Sequence, residues 1–221
     1  FNESAKGSGK WGVRDDITFD DLYHQVISHQ EKHWHTGFLT LSSHEPWTVP
    51  YHRFDYEVYN SFSYLDYCIG KFINRLKKTP QWKNLLIIFT PDHGIRYPHL
   101  EETDLLRNHI PMIWVGGAVK APRTIDKLCT QTDLAATLLG QMGIRHDMFR
   151  FSRDVTSKTY KYPFVYHTYN YGFTVIDSTG YTVYDLDANK VIADKPKANK
   201  HRLEMGRAIL QITSKDLKER R

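Results

Sequence analysis

Leu85-Leu86-Ile87-Ile88-Phe89-Thr90-Pro91-Asp92-His93-Gly94 sets an unbroken apolar run against an abrupt polar turn. The run is too short for a helix and the right length for a strand. A strand apolar on both sides is buried on both sides, which predicts a central strand of a parallel sheet. Ile110 to Val115 repeats this character and stops at Gly116-Gly117. Helical patterns alternate with these runs. Asp15 to His33 places Phe19, Leu22, Tyr23, Val26 and Ile27 at helical spacing, with Thr18 or an adjacent Asp as the expected cap. Asp55 to Lys78 carries one stripe through Val58, Phe62, Leu65, Ile69, Phe72, Ile73 and Leu76, ended by Lys77, Lys78 and Pro80. Thr132 to Met142 is a third helix, stopped by Gly143. Trp34 to Leu41 and Phe164 to Tyr169 read as further strands. The expected class is α/β, a mostly parallel sheet flanked by helices.

The tail has a different texture. Gly172 to Ile176, Tyr181 to Leu186 and Val191-Ile192 are joined by Ser178-Thr179-Gly180 and Asp187-Ala188-Asn189, which predicts antiparallel hairpins. A last helix is expected from about His201 to Leu217. The expected organisation is therefore an α/β part over residues 1–170 and a small antiparallel part with its helix over 171–221.

Composition sets bounds. The 221 residues are 40% hydrophobic and 25% charged, which fits a folded protein and excludes wholesale disorder. No apolar stretch approaches the roughly 18 residues of a membrane span. The two cysteines, Cys68 and Cys129, are too few for a disulfide framework and read as buried free thiols. Net charge is +5, but the excess lies at Lys195 to Lys200 and Lys215 to Arg221. Terminal charge without a nucleic-acid-binding motif argues against a nucleic-acid partner. Residues 1–10, with Gly7, Ser8 and Gly9, read as a flexible lead-in. The start at Phe1 is read as an excision from a longer chain, so the absence of a targeting segment carries no information about location.

In an open α/β sheet, ligands bind beyond the carboxyl ends of the strands. Two polar turns occupy such positions: Thr90 to Gly94, and Leu41-Ser42-Ser43-His44-Glu45-Pro46-Trp47. A carboxylate beside an imidazole suits a divalent ion. Asp92 and His93 can share one only where the backbone leaves the pleat, which Gly94 would permit. The alternative is a turn in which Asp92 caps an amide and His93 is incidental. His44 is equally open to a reading as a half-exposed turn histidine.

Several segments together resemble one family. They are Trp11-Gly12-Val13-Arg14-Asp15, Phe38-Leu39-Thr40-Leu41-Ser42-Ser43-His44-Glu45-Pro46, Asn60-Ser61-Phe62-Ser63-Tyr64-Leu65-Asp66, Ile87 to Gly94, His109-Ile110-Pro111-Met112, and Gln131 to Gly140. The combination is similar to the sulfatase-like branch of the alkaline phosphatase superfamily, and within it to the lipoteichoic acid synthase-like (LtaS-like) membrane phosphotransferases. The resemblance implies a partial alkaline phosphatase-like domain. It gives Asp92 and His93 the role of metal ligands, with His109 as a further candidate. It gives His44 a contact to the substrate headgroup, with Trp47, Arg96 and Arg107 as further candidates there. The implied ion is Mn²⁺, with Mg²⁺, Ca²⁺ or Zn²⁺ as alternatives. The implied chemistry is attack of a metal-activated hydroxyl on a phosphate ester.

The family's nucleophile and a metal-binding Glu lie in a segment that nothing here matches, and a sulfatase C-x-P-x-R is absent. No catalytic nucleophile is therefore expected in this chain, and the missing N-terminal half of the domain is its expected partner. The implied parent is a membrane-anchored enzyme with an extracytoplasmic domain, acting on a phospholipid headgroup or an envelope glycopolymer; the fragment itself is expected to be soluble. A true sulfatase and a noncatalytic module binding an anionic glycan or headgroup are the competing readings.

Overall fold

The computed structural model describes residues 8–9, 12–96, 99–101, 103–196 and 199–220. It divides into two compact units. The first runs to Phe89 and takes in Met112–Pro122; the second comprises Thr90–Pro111 and the chain from Arg123 onward.

In the first unit, β1 (Ser8–Gly9) and β2 (Gly12–Val13) make a minimal antiparallel pair. Two helices follow, α1 (Asp15–Ser28) and α2 (Glu57–Leu76). A 3₁₀ turn at Pro80–Asn84 leads into β3 (Ile87–Phe89), which pairs with β4 (Ile113–Val115). The core row of α2 is Tyr64, Cys68, Phe72 and Leu76, four residues apart, packed with Phe19 and Val26 of α1. The Phe19 and Phe72 rings lie 5.2 Å apart. This row is offset from the expected stripe, and Phe62 is exposed. Tyr64 and Cys68 complete the apolar row, and counting only aliphatic residues and Phe misplaces it.

Three expectations need correction here. The first concerns the sheet. The chain is a mixed α/β protein, but β3 is not a central parallel strand among the described residues. It is half-buried and runs antiparallel to β4, with Ile87 opposite Val115 and Phe89 opposite Ile113. An unbroken apolar run reports burial; it does not encode a neighbour's direction. The second concerns residues 34–41, which form no strand. Phe38 packs on Phe19 at 4.9 Å, while Leu39 is 89% exposed. The third concerns α1, which has no side-chain cap. Asp15, expected among the caps, instead points its carboxylate at another loop.

The second unit holds a 3₁₀ turn at Leu105–Asn108, α3 (Asp133–Gln141) and a four-stranded antiparallel meander. Its strands are β5 (Phe164–Tyr169), β6 (Gly172–Asp177), β7 (Gly180–Asp185) and β8 (Lys190–Lys195). The hairpins form where the turn residues place them. Helix α4 (Lys200–Glu219) lies on this sheet, with Leu203, Met205 and Leu210 against Phe173, Val175 and Tyr184. A Cβ at Gly206 would sit 2.1 Å from the Phe173 ring, so the close approach of helix to sheet requires glycine.

Arg202 of α4 is fully buried and fully partnered. Its guanidinium donates to Thr182 Oγ1, Thr179 Oγ1, Asp177, Asp194 and the carbonyls of Lys195 and Pro196. Burial pushes the Asp177 and Asp194 carboxyls up. Hydrogen bonds from Thr179 and Thr182 and the Arg202 charge outweigh it, and both end below their ordinary value. Both thiols are free; Cys68 is buried, as expected, and Cys129 is exposed, contrary to expectation. Burial raises the Cys68 thiol to about 11, which makes it unreactive near neutral pH.

Candidate functional site

The chain leaves β3 at Thr90 and bends at Asp92 and His93. In an extended strand, neighbouring side chains point to opposite faces. Here the bend brings both to one side, with Asp92 Oδ2 3.7 Å from His93 Nε2. Each ligand has its other polar atom committed within the loop. Asp92 Oδ1 accepts from the His93 amide at 2.9 Å, and His93 Nδ1 is 2.7 Å from the Gly94 carbonyl. A carbonyl can only accept, so Nδ1 is the donor, and in the neutral ring Nε2 presents its lone pair. The two side chains are 82% and 75% exposed.

This donor set fits a divalent ion. A neutral imidazole nitrogen and a carboxylate oxygen are suitable ligands, and their separation of 3.7 Å is below twice a metal–ligand bond of about 2.1 Å. The Nδ1 bond to a backbone carbonyl is the orienting contact usual for ligating histidines. Among the described residues no cluster of three or more His, Cys, Asp or Glu could hold an ion, so this chain offers the pair and no complete shell. His109 is an exposed residue that ends the Leu105–Asn108 turn, its amide bonded to the Leu106 carbonyl; it does not join the pair in such a cluster.

Gly94 does not serve as expected. It has no positive φ; a Cβ there would lie 1.5 Å from the Arg107 carbonyl oxygen, so its role is to admit that backbone. Arg107 is half-buried, and its Nη1 is buried without a hydrogen-bond partner among the described residues. Arg96 is exposed and lies 3.4 Å from Glu101.

The loop is braced from the turn that precedes α3. Gln131 Nε2 donates to the carbonyls of Pro91 at 2.5 Å and Asp92 at 3.0 Å. Two residues on, Asp133 is 1% exposed and accepts from the Thr130 and Arg153 amides and from the Arg153 guanidinium at 2.7 and 3.0 Å. The guanidinium also lies 3.9 Å from the Phe164 ring centroid. Gln131 and Asp133 fall within the family-like segment Gln131 to Gly140, where residue type alone assigns neither a task. The signal was a carboxylate heading an apolar helix two residues after a long amide side chain.

The second polar turn lies in the first unit. Asp15, fully buried, accepts from the Leu41 and Ser42 amides at 2.8 and 2.9 Å, and Ser61 donates to the Ser42 carbonyl. Asn60 accepts from the Arg53 and Phe54 amides and donates to the Phe54 carbonyl, closing the loop before α2. The bonds of Asp15 and Ser61 tie the starts of α1 and α2 to the backbone at Leu41 and Ser42. His44 is exposed, with Nδ1 2.7 Å from the Glu45 carbonyl, and Nε2 is therefore its acceptor nitrogen. Trp47 takes φ 61° and stacks on Phe62 at 6.3 Å. A bulky residue in the left-handed region is uncommon and signals a constrained turn. His44 and Trp47 thus belong to one unit, and Asp92, His93, Arg96, Arg107 and His109 to the other.

Residues 1–144 match the family model described as Sulfatase. The chain belongs to the sulfatase family. Members of this superfamily are enzymes that generally use divalent metal ions. The sulfatase-family chain is also similar to two solved structures. One is a protein of the alkaline phosphatase superfamily from Vibrio parahaemolyticus, with TM-score 0.81 and 20% identity, covering 100% of this chain and 58% of that one. The other is the lipoteichoic acid synthase LtaP from Listeria monocytogenes, with TM-score 0.69 and 17% identity, covering 94% of this chain and 60% of that one. The alkaline phosphatase-like fold is therefore shared, and the chain spans about three-fifths of the length of either structure. No curated protein matches the sequence. Among the described residues, no helix is long and apolar enough to cross a membrane.

Proposed function

We propose that this chain supplies part of the metal centre of a hydrolase or phosphotransferase acting on phosphate esters of lipid headgroups or envelope polymers. The observation that carries this reading is the exposed Asp92–His93 pair, whose Oδ2 and Nε2 stand 3.7 Å apart with their other polar atoms committed. The bound ion, Mn²⁺ by preference, would be held by those two atoms. It would supply charge neutralisation and activation of a hydroxyl. His93 donates from Nδ1 to the Gly94 carbonyl, which leaves Nε2 to face the ion. Arg107, whose Nη1 has no hydrogen-bond partner among the described residues, is assigned to the anionic substrate. The nucleophile, further ligands and membrane anchor come from sequence outside these residues, in an enzyme whose catalytic domain is extracytoplasmic. The match to the Sulfatase model keeps sulfate esters as the second reading.

The test uses a chromogenic phosphodiester and an aryl sulfate, with Mn²⁺, Mg²⁺, Ca²⁺ and Zn²⁺ in turn. The 221-residue chain is expected to show no turnover. The longer parent protein is expected to turn over one ester class and to lose that activity in Asp92→Ala. Near-normal activity of that variant would return Asp92 to a turn-capping role. Multiple turnovers by the 221-residue chain alone would overturn the divided site.

A further inference from the structure

We infer that Gln131 is a positioning residue for the Asp92–His93 pair: its side-chain amide, bonded to the carbonyls of Pro91 and Asp92, fixes the peptide planes that aim both ligands to one side. The inference rests on the metal reading above.

Adjacent residues share an ion only if the backbone between them is bent. A bend in an exposed loop is free to relax unless something holds its peptide groups. The side-chain bonds inside the loop do not hold the bend against the rest of the protein. The Asp92–His93 amide bond and the His93–Gly94 carbonyl bond join neighbours and move with them. Gln131 is different. It reaches across 40 positions of sequence to the Pro91 carbonyl and 39 to that of Asp92. Those carbonyls belong to the peptide groups on either side of Asp92, so fixing them sets the direction of its Cα–Cβ bond. One amide group carries two donors, enough for both bonds.

Gln131 is itself anchored. Asp133 accepts from the Thr130 amide at 2.9 Å and from the Arg153 guanidinium at 2.7 Å, so residues 130–133 are clamped by a buried carboxylate. The brace therefore runs from a buried ion pair to an exposed ligand pair. At Gly94 the missing Cβ lets the Arg107 backbone pack closely against the loop.

Gln131 is exposed, so water satisfies the freed carbonyls when it is removed, and the cost falls on geometry rather than on folding. Outer contacts of this kind tune metal affinity by about 10-fold or more. The experiment titrates Mn²⁺ into the 221-residue chain and follows paramagnetic broadening of the Asp92, His93 and Gly94 amides by NMR. Gln131→Met keeps bulk and removes both donors; Gln131→Ala removes both. Each is expected to weaken Mn²⁺ binding about 10-fold with an unchanged urea midpoint. Each should also shift the His93 ring nitrogens in the metal-free protein. Gln81→Met is the control. Gln81 donates to the Ile27 carbonyl at 3.2 Å in the first unit, and its loss should leave the affinity unchanged. Broadening in the parent chain with equal affinity in Gln131→Met overturns this inference alone. No localised broadening in the parent chain overturns the metal reading and this inference with it.

Discussion

The two polar turns of this chain are held in opposite ways. In the turn at Ser42–Pro46, the controlling groups are inside: Asp15 is fully buried and its carboxylate takes two backbone amides, while Ser61 holds a carbonyl from below. In the loop at Pro91–Gly94, the chemically interesting groups face solvent, and the brace, Gln131, is exposed as well. A buried carboxylate that satisfies backbone amides is a folding element, because removing it leaves unmet donors away from water. An exposed carboxylate with a free oxygen contributes little to folding and remains available to a ligand. Residues from one family motif set thus divide into builders and presenters, and burial tells them apart.

The largest effect expected from this contrast is in Asp15→Ala. The Leu41 and Ser42 amides would lose their acceptor in a buried place, at a cost of about 3 kcal/mol. Asp15→Asn keeps an acceptor oxygen and should cost less than half of that. Urea unfolding at neutral pH reads both, and a change within about 0.5 kcal/mol for Asp15→Ala would break the distinction between the two turns.

Arg202 extends the contrast to a buried cation. Asp177 and Asp194 are held below the ordinary carboxylate value, so the folded state favours their charged forms. Their contribution is present above the ordinary value, near pH 4, and fades as pH falls through the lower folded values. Arg202→Met leaves two carboxylates without their cation and should cost about 2 kcal/mol at pH 7. The gap between variant and parent should narrow below about pH 4, where the carboxylates protonate. A gap constant from pH 7 to pH 3 would mean that Arg202 acts by packing alone.

Much of this was legible in the sequence. The hairpins joining β6 to β7 and β7 to β8 announced themselves through Ser178-Thr179-Gly180 and Asp187-Ala188-Asn189, because turn chemistry is local. Helices α2 and α4 followed from periodicity. The direction of β3 was not legible, since pairing is a long-range property that an apolar pentad does not encode. Residues 34–41 read as a strand because a short run with apolar residues before a polar turn fits one, yet only Trp34 and Phe38 pack on the core while Leu39 is exposed. At the site, Asp92 and His93 could be named as candidates from residue chemistry and family likeness. The tautomer of His93, the steric task of Gly94 and the reach of Gln131 could not, because each depends on a contact distant in sequence or on a backbone bend.

The smallest effects should come from the candidate ligands themselves. Asp92→Ala removes the acceptor for the His93 amide, and His93→Ala removes the donor to the Gly94 carbonyl. Both partners lie in an exposed loop where water replaces what is lost, and neither side chain buries apolar surface. Exposed substitutions without a buried partner change stability by about 0.5 kcal/mol or less. The urea midpoint of each variant, without metal at neutral pH, should therefore match that of the parent chain. With Mn²⁺ present the parent should gain stability through mass action while the variants do not, because an ion that binds only the folded loop pulls the equilibrium toward it. A loss of about 2 kcal/mol in metal-free Asp92→Ala would place the carboxylate among the builders, beside Asp15, as a residue whose task is to shape a turn.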